Sequence, residues 1–445
     1  MVQVAEEKHY GWVERLEGFL ANLATGGPKE LPSTRKSAIE RFAELGFPTT
    51  RHEEWKYTNV AKIRDTDFET ASSYSSHGLD EATVTGWAFD IGDCHKLVFV
   101  NGLFSPEMSD LGKLPEGVRV DSLGACLGSE PAIDAHLTKY ASTEDNAFVA
   151  LNTAYLRDGV FVHVPKGKRI EKPIHAIFVG AAPEGPIASH PRNLIVCDEN
   201  AEASIVETHV GRDGEHAFTN AVTEIVLAKN ARLQHYKVNR SGDAASHVAT
   251  LQVHQDRDSV FYSQNIHFGG ALTRNDINTF LDGEGVDSTF DGLFLVSGDQ
   301  HVDNHTRVDH AKPHGVSHEL YKGILDGKAT SCFNGKIFVH EDAQKTDAFQ
   351  QNMNMLMSAD SQANTKPQLE IFADDVKCSH GATVGQLDRD ALFYLRARGI
   401  PESTAKALLT YAFANDVVQR IKVEPLRQAL DDYLFHELPA SRFSR

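Results

Sequence analysis

The stretch STFDGLFLVSG (288–298), followed by ELYKGILDG (319–327) and SCFNGKIFVHED (331–342), decides the fold class. Each is a short run of β-branched, aromatic and aliphatic residues closed by Gly, Asn or Asp, the pattern of a buried strand between turns. An aromatic or leucine stands ahead of a glycine in all three, a loose resemblance at irregular spacing. The same texture runs from about 158 to 385, through GVFVHVP, HAIFVG, NLIVCDE, ASIVETHVG, AVTEIVLAKN, ARLQHYKVN, SVFYSQNIHFGG and LEIFADD. No long helix interrupts it, which excludes a doubly wound α/β fold, where helices alternate with strands. The irregular recurrence points to an imperfect solenoid, a β-helix stacking coil on coil. A β-sandwich is the competing arrangement, since periodicity alone does not separate the two.

Outside this block the periodicity becomes helical. YGWVERLEGFLANLA (10–24) and TRKSAIERFAELG (34–46) carry apolar residues at helical spacing, with a break at TGGPKELPS (25–33) and a stop at Gly46 with Pro48 beyond. RHEEWKYTNV (51–60) follows, HKLVFVNG (95–102) and GVRVDSL (117–123) read as strands around turns, and 134–155 returns to a helical pattern. After 388, DRDALFYLRARG, PESTAKALLTYAFANDVV and EPLRQALDDYLFHEL read as three helices. Three units result: a mixed, largely helical 1–150, a β core over 151–387, and a helical 388–445.

The 445 residues carry a net charge of −18, from 44 basic and 62 acidic side chains. That balance disfavours a nucleic-acid groove or an anionic membrane surface, both of which need clustered Lys and Arg. No apolar run approaches the roughly 20 residues of a membrane span. The opening MVQVAEEKHYGWVERL is acidic and lacks an apolar core, so no signal peptide is expected. Five cysteines (Cys94, Cys126, Cys197, Cys332, Cys378) lie far apart with no CxxC, which fits reduced thiols in a cytoplasmic protein.

Motifs for chemistry are few. YKGILDGKAT (321–330) imitates a phosphate loop, but three residues rather than four separate Gly323 from Gly327, and Ala329 follows Lys328 where Ser or Thr is needed. A nucleotide hydrolase is therefore excluded. QHVDNHTRVDHAKPHGVSH (300–318) holds His301, His305, His310, His314 and His318. Imidazoles at this density suit a transition metal. Pro313, Gly315 and the β-branched residues argue against a helix, and on strands and turns the five rings scatter to different faces as ordinary hydrogen-bonders. In KCSHGAT (377–383), Cys378 and His380 stand two apart and share one face of a strand. Thiolate and imidazole are both ligands for iron–sulfur species or zinc. Two ligands do not complete a site, so the rest must come from elsewhere, for instance from another chain; the alternative is a buried cysteine with a hydrogen-bonded histidine beside it.

Several stretches in order resemble the SufB/SufD family of iron–sulfur cluster assembly proteins. They are RHEEWKYTNV (51–60), ELYKGIL (319–325), FNGKIFVHEDAQKTDAFQQNMNML (333–356), TKPQLEIFADDVKCSHGATVGQLD (365–388) and LFYLRARGI (392–400). HGAT (380–383) stands where SufB-like chains carry a HEAT-type stretch, which places the sequence nearer the SufD branch. The resemblance implies a mainly β fold: a right-handed parallel β-helix core flanked by the helical terminal regions. It also implies pairing with SufB through the β-helix cores, docking of the SufC ATPase on the C-terminal helices, and a scaffold rather than an enzyme. The family's histidine in this block lies at the SufB–SufD interface, which marks His380, accompanied by Cys378, for a nascent iron–sulfur cluster or iron shared transiently with SufB. No metal held tightly by the isolated chain is expected, and a homodimer in isolation is open through the same edges. A self-contained β-helix metalloprotein using the 301–318 histidines is the alternative reading.

Overall fold

The computed structural model describes residues 2–21 and 31–438, with side chains from residue 11 onward; the break placed at 25–33 lies largely outside them. Sixteen strands build eight coils of a parallel solenoid, two strands to a coil, so that each sheet collects every second strand. One sheet runs from Val160–Val164 to Gln362–Ile371, the other from Ile174–Gly180 to Lys377–Gly385. Registers repeat at about thirty residues: Ile205 pairs with His235, Asp276 with His305, Gln350 with His380. Alternation along each strand then stacks every inward side chain on its neighbour one coil away. Val162, Ile195, Ile225, Val253, Ile205, Leu233, Phe261 and Phe290 form a continuous interior by this stacking.

The loose resemblance that suggested a repeat has a different origin. Gly292 pairs with Tyr321, and Gly323 with Phe294, so the glycines of STFDGLFLVSG and ELYKGILDG are out of step. A Cβ on Gly292 would meet the Tyr321 ring at 2.2 Å, and one on Gly323 the Phe294 ring at 2.2 Å. Each glycine is a notch for the aromatic ring of the adjoining coil. CFNGKIFV belongs to the other sheet altogether.

The N-terminal region closes the first coil. His95–Val100 adds a parallel strand beside Ile174–Gly180, and Arg119–Ser122 pairs antiparallel with Val160–Val164. Helices Val2–Ala21, Leu31–Leu45 and Ala147–Ala154 pack Trp12, Phe42, Phe148 and Tyr155 against Phe218, Val248 and Leu272 on the outside of the first sheet. A buried ion pair fastens the loop before the last of these helices. Glu224 takes Arg192 Nη2 at 2.7 Å and the backbone N–H groups of Thr138, Tyr140 and Ala141.

Helices Arg389–Ala397, Glu402–Val418 and Glu424–Glu437 follow the last coil. The last two double back to cover the outside of the second sheet, burying Val417, Val418, Leu426 and Leu430 against Val206, Tyr236, Leu293 and Leu320. Helices thus clothe both outer faces in the middle of the solenoid and stop short of its last coil. No helix among the described residues is long and apolar enough to cross a membrane.

Candidate functional site

The last coil puts KCSHGAT on strand Lys377–Gly385, the terminal strand of its sheet, paired on one side only with Asp347–Leu356. Cys378 stacks beyond Ala348 and lies half-buried beside Ile337, Val339 and Leu369. Burial pushes its thiol up, helped by the Asp347 carboxylate, so it is a neutral thiol until a metal or base takes its proton. His380 shares that face by alternation but is exposed, because no ninth coil covers it. It ends an interior column that runs through Phe290, Glu319 and Gln350. Glu319 accepts from Gln350 Nε2 and from Thr306 Oγ1, both at 2.9 Å, and burial raises its carboxyl to about 7 against those two bonds. Exposed apolar residues surround this end: Phe349, Phe372 and Val384.

The five histidines of 300–318 scatter. His301 and His305 lie on the outward face of strand His301–His310, while His310 turns inward to Ser317 Oγ at 2.9 Å. His314 sits in a turn at φ 61°, and His318 is exposed on the other sheet. What gathers around His301 and His305 is RHEEWKYTNV, which lies as a strap across four strands of the first sheet. Thr58 bonds His301 Nε2 at 2.8 Å and also Asp303; Glu54 Oε2 lies 3.3 Å from His305 Nδ1; Glu53 holds Lys366 Nζ at 2.7 Å. Trp55 is sandwiched between Phe148, 5.3 Å away, and the Arg274 guanidinium, 4.4 Å from its ring. Arg274 also takes Asp276 and Asp303, and these charges hold the Asp303 carboxyl well below its usual range although burial opposes them.

Inside the middle coils the interior is polar. Glu207, His209, His235, Lys237, His247 and His267 are all buried there. Burial alone would raise Glu207, yet hydrogen bonds from His209 at 2.7 Å and His235 at 3.3 Å hold it well below the carboxylate range. Burial lowers the Lys237 ammonium to about 8, opposed by Glu207. The signal was present: ETH (207–209) and HYK (235–237) place a charged or imidazole group at every second position, on the inward parity of their strands.

A parallel β-solenoid with helical ends and a thiol–imidazole pair on its terminal strand defines the class. Residues 178–413 match the SUF system FeS cluster assembly, SufBD core domain, and residues 16–176 match the SufBD protein N-terminal region. The chain is 32% identical to the iron–sulfur cluster assembly protein SufD of Escherichia coli, over 93% of this chain and 94% of that protein. It is also 32% identical to an iron–sulfur cluster assembly SufBD family protein of Synechocystis, over 90% and 89% of the two chains. SufD of Bacillus subtilis is 26% identical over 91% and 93%. The chain belongs to the SufB/SufD family of iron–sulfur cluster assembly proteins.

Proposed function

We propose that this chain is a non-catalytic, cytoplasmic SufD-like subunit that pairs with SufB through its last coil and docks the SufC ATPase through its C-terminal helices. The observation that carries the reading is the bare terminal strand Lys377–Gly385, which offers an unpaired edge and the exposed His380 together. An edge of this kind is a template for pairing with another sheet. A second chain seated there would surround His380 and Cys378 with its own side chains and supply the ligands that two residues lack. The iron–sulfur cluster is cargo in this scheme: His380 offers an imidazole nitrogen to its iron, and Cys378 a thiol once deprotonated. Helix Arg389–Ala397 buries none of its side chains, and Phe393 and Tyr394 are 73% and 56% exposed, which suits a docking face for the ATPase.

Co-expression with SufB and SufC, wild type against His380→Ala, tests this by counting iron and acid-labile sulfide in the purified complex. An intact complex that has lost its cluster is the expected result. An intact complex with a full cluster would reduce KCSHGAT to a packing element.

A further inference from the structure

Asp303, His305 and Cys332 stand apart from the last coil and have no part in the proposal above. Each offers one ligand atom, and the three atoms lie within 4.8 Å of one another; among the described residues no other His, Cys, Asp or Glu group of this size does so. They come from two adjoining strands, Asp303 facing Cys332 directly in register, so the backbone fixes their separation. Asp303 is 1% exposed; its Oδ1 faces His305 Nε2 at 3.1 Å, and its Oδ2 accepts from Thr58 and Arg274.

The surroundings suit a cation. Two carboxylates, Asp276 and Asp303, pair with one guanidinium, Arg274, and a third, Glu54, stands beside His305. Glu54 Oε2 lies 3.3 Å from His305 Nδ1, the carboxylate–imidazole arrangement that orients a histidine to ligate through its other nitrogen. Arg274 Nη1 lies 3.0 Å from that other nitrogen, but Arg274 is also held by Asp276, by Asp303 Oδ2, by the Glu54 carbonyl and by the Trp55 ring, so yielding Nε2 leaves it anchored. A cleft of about 580 Å³ under the 51–60 strap reaches His305 and Asn334, giving an ion a way in and a water a place on its open side.

We propose that Asp303, His305 and Cys332 bind one borderline divalent transition-metal ion of the zinc or ferrous class, with water from the cleft as the fourth ligand. Oxygen, nitrogen and sulfur donors in a three-plus-water set match that class rather than calcium or magnesium. Binding forms a metal–sulfur bond, and the Cys332 proton leaves to solvent; no redox change is involved. The site modifies the expectation that the isolated chain holds no metal tightly.

Cobalt(II) titrated into the purified full-length chain under reducing, anaerobic conditions is the probe. One ion per chain with a thiolate-to-cobalt charge-transfer band is expected, with the band lost in Cys332→Ser and kept in Cys378→Ser. Glu54→Gln, which leaves all three ligands in place, should weaken binding about 10–100-fold. His305→Gln serves as a second ligand variant should Cys332→Ser fail to fold by circular dichroism. No thiolate band at saturating cobalt, or a band that survives Cys332→Ser or His305→Gln and disappears in Cys378→Ser, would overturn the assignment. The last variant also keeps this test separate from the cluster site, since failure there leaves the Asp303 site untouched.

Discussion

Glu319 shows at the scale of one residue how the interior is tuned. Its carboxyl is fully buried, its Oε2 accepts from Thr306 and Gln350, and its Oε1 has no partner. The folded pKa, raised to about 7 from 4.5, means the folded chain binds a proton that the unfolded chain releases between pH 4.5 and 7. Stability from this group is therefore present below pH 4.5 and lost as pH rises through 7. Glu319→Gln retains an acceptor for both donors without the buried charge. It should be more stable than wild type at pH 8, by on the order of 2–3 kcal/mol, and no different at pH 4. Urea midpoints at the two pH values measure this, and equal stability at pH 8 would show that the carboxylate is solvated in solution. None of this was legible in ELYKGIL, because a glutamate in a strand reads the same whether it faces water or core.

At the scale of the element, the strands are held in register by notches as much as by hydrogen bonds. Gly292→Ala and Gly323→Ala each drive a methyl into an aromatic ring of the adjoining coil, and overpacking of this sort costs about 1–3 kcal/mol. The loss at Gly292 should be recovered largely by Tyr321→Leu in the same chain, because the clash is with that ring alone at 2.2 Å. Denaturant unfolding of the single and double variants gives the coupling directly. Additive losses would mean that the glycine serves the backbone instead. The 51–60 strap is the other element whose role emerges only in three dimensions. In it, Trp55 and Glu54 bind strands more than two hundred residues away in the chain.

Across the whole molecule, the buried histidines set the response to acid. Burial pushes His175, His190 and His267 down to about 3 and His310 to about 4. These rings stay neutral in the fold and charge on unfolding, so their stabilisation is complete above pH 6.5 and is lost as pH falls through 4 to 3. Unfolding at pH 5 should take up about three protons from these groups, after subtracting the one Glu319 releases. Stability should then fall by about 4 kcal/mol per pH unit near pH 5. Denaturant midpoints between pH 7 and 4.5 give the slope; a flat profile would mean that the interior histidines are hydrated and already protonated in the native state. The same burial explains why the two ends of the molecule differ. Middle coils are covered by helices on both outer faces, while the last coil, with Phe349, Phe372 and His380, meets solvent.

Local choices were legible along the chain: strand texture between 158 and 385, helices at both ends, a thiol and an imidazole on one strand face, and the family to which those ordered stretches belong. Those features depend on neighbours within ten residues or so, and composition and period two or 3.6 report them. Which coil each strand joins, the alternation of glycines with aromatic rings on neighbouring strands, and the meeting of Cys332 with Asp303 and His305 emerge in the folded molecule. Those pairings join residues about thirty apart through stacking, and no local period carries the register of one coil on the next.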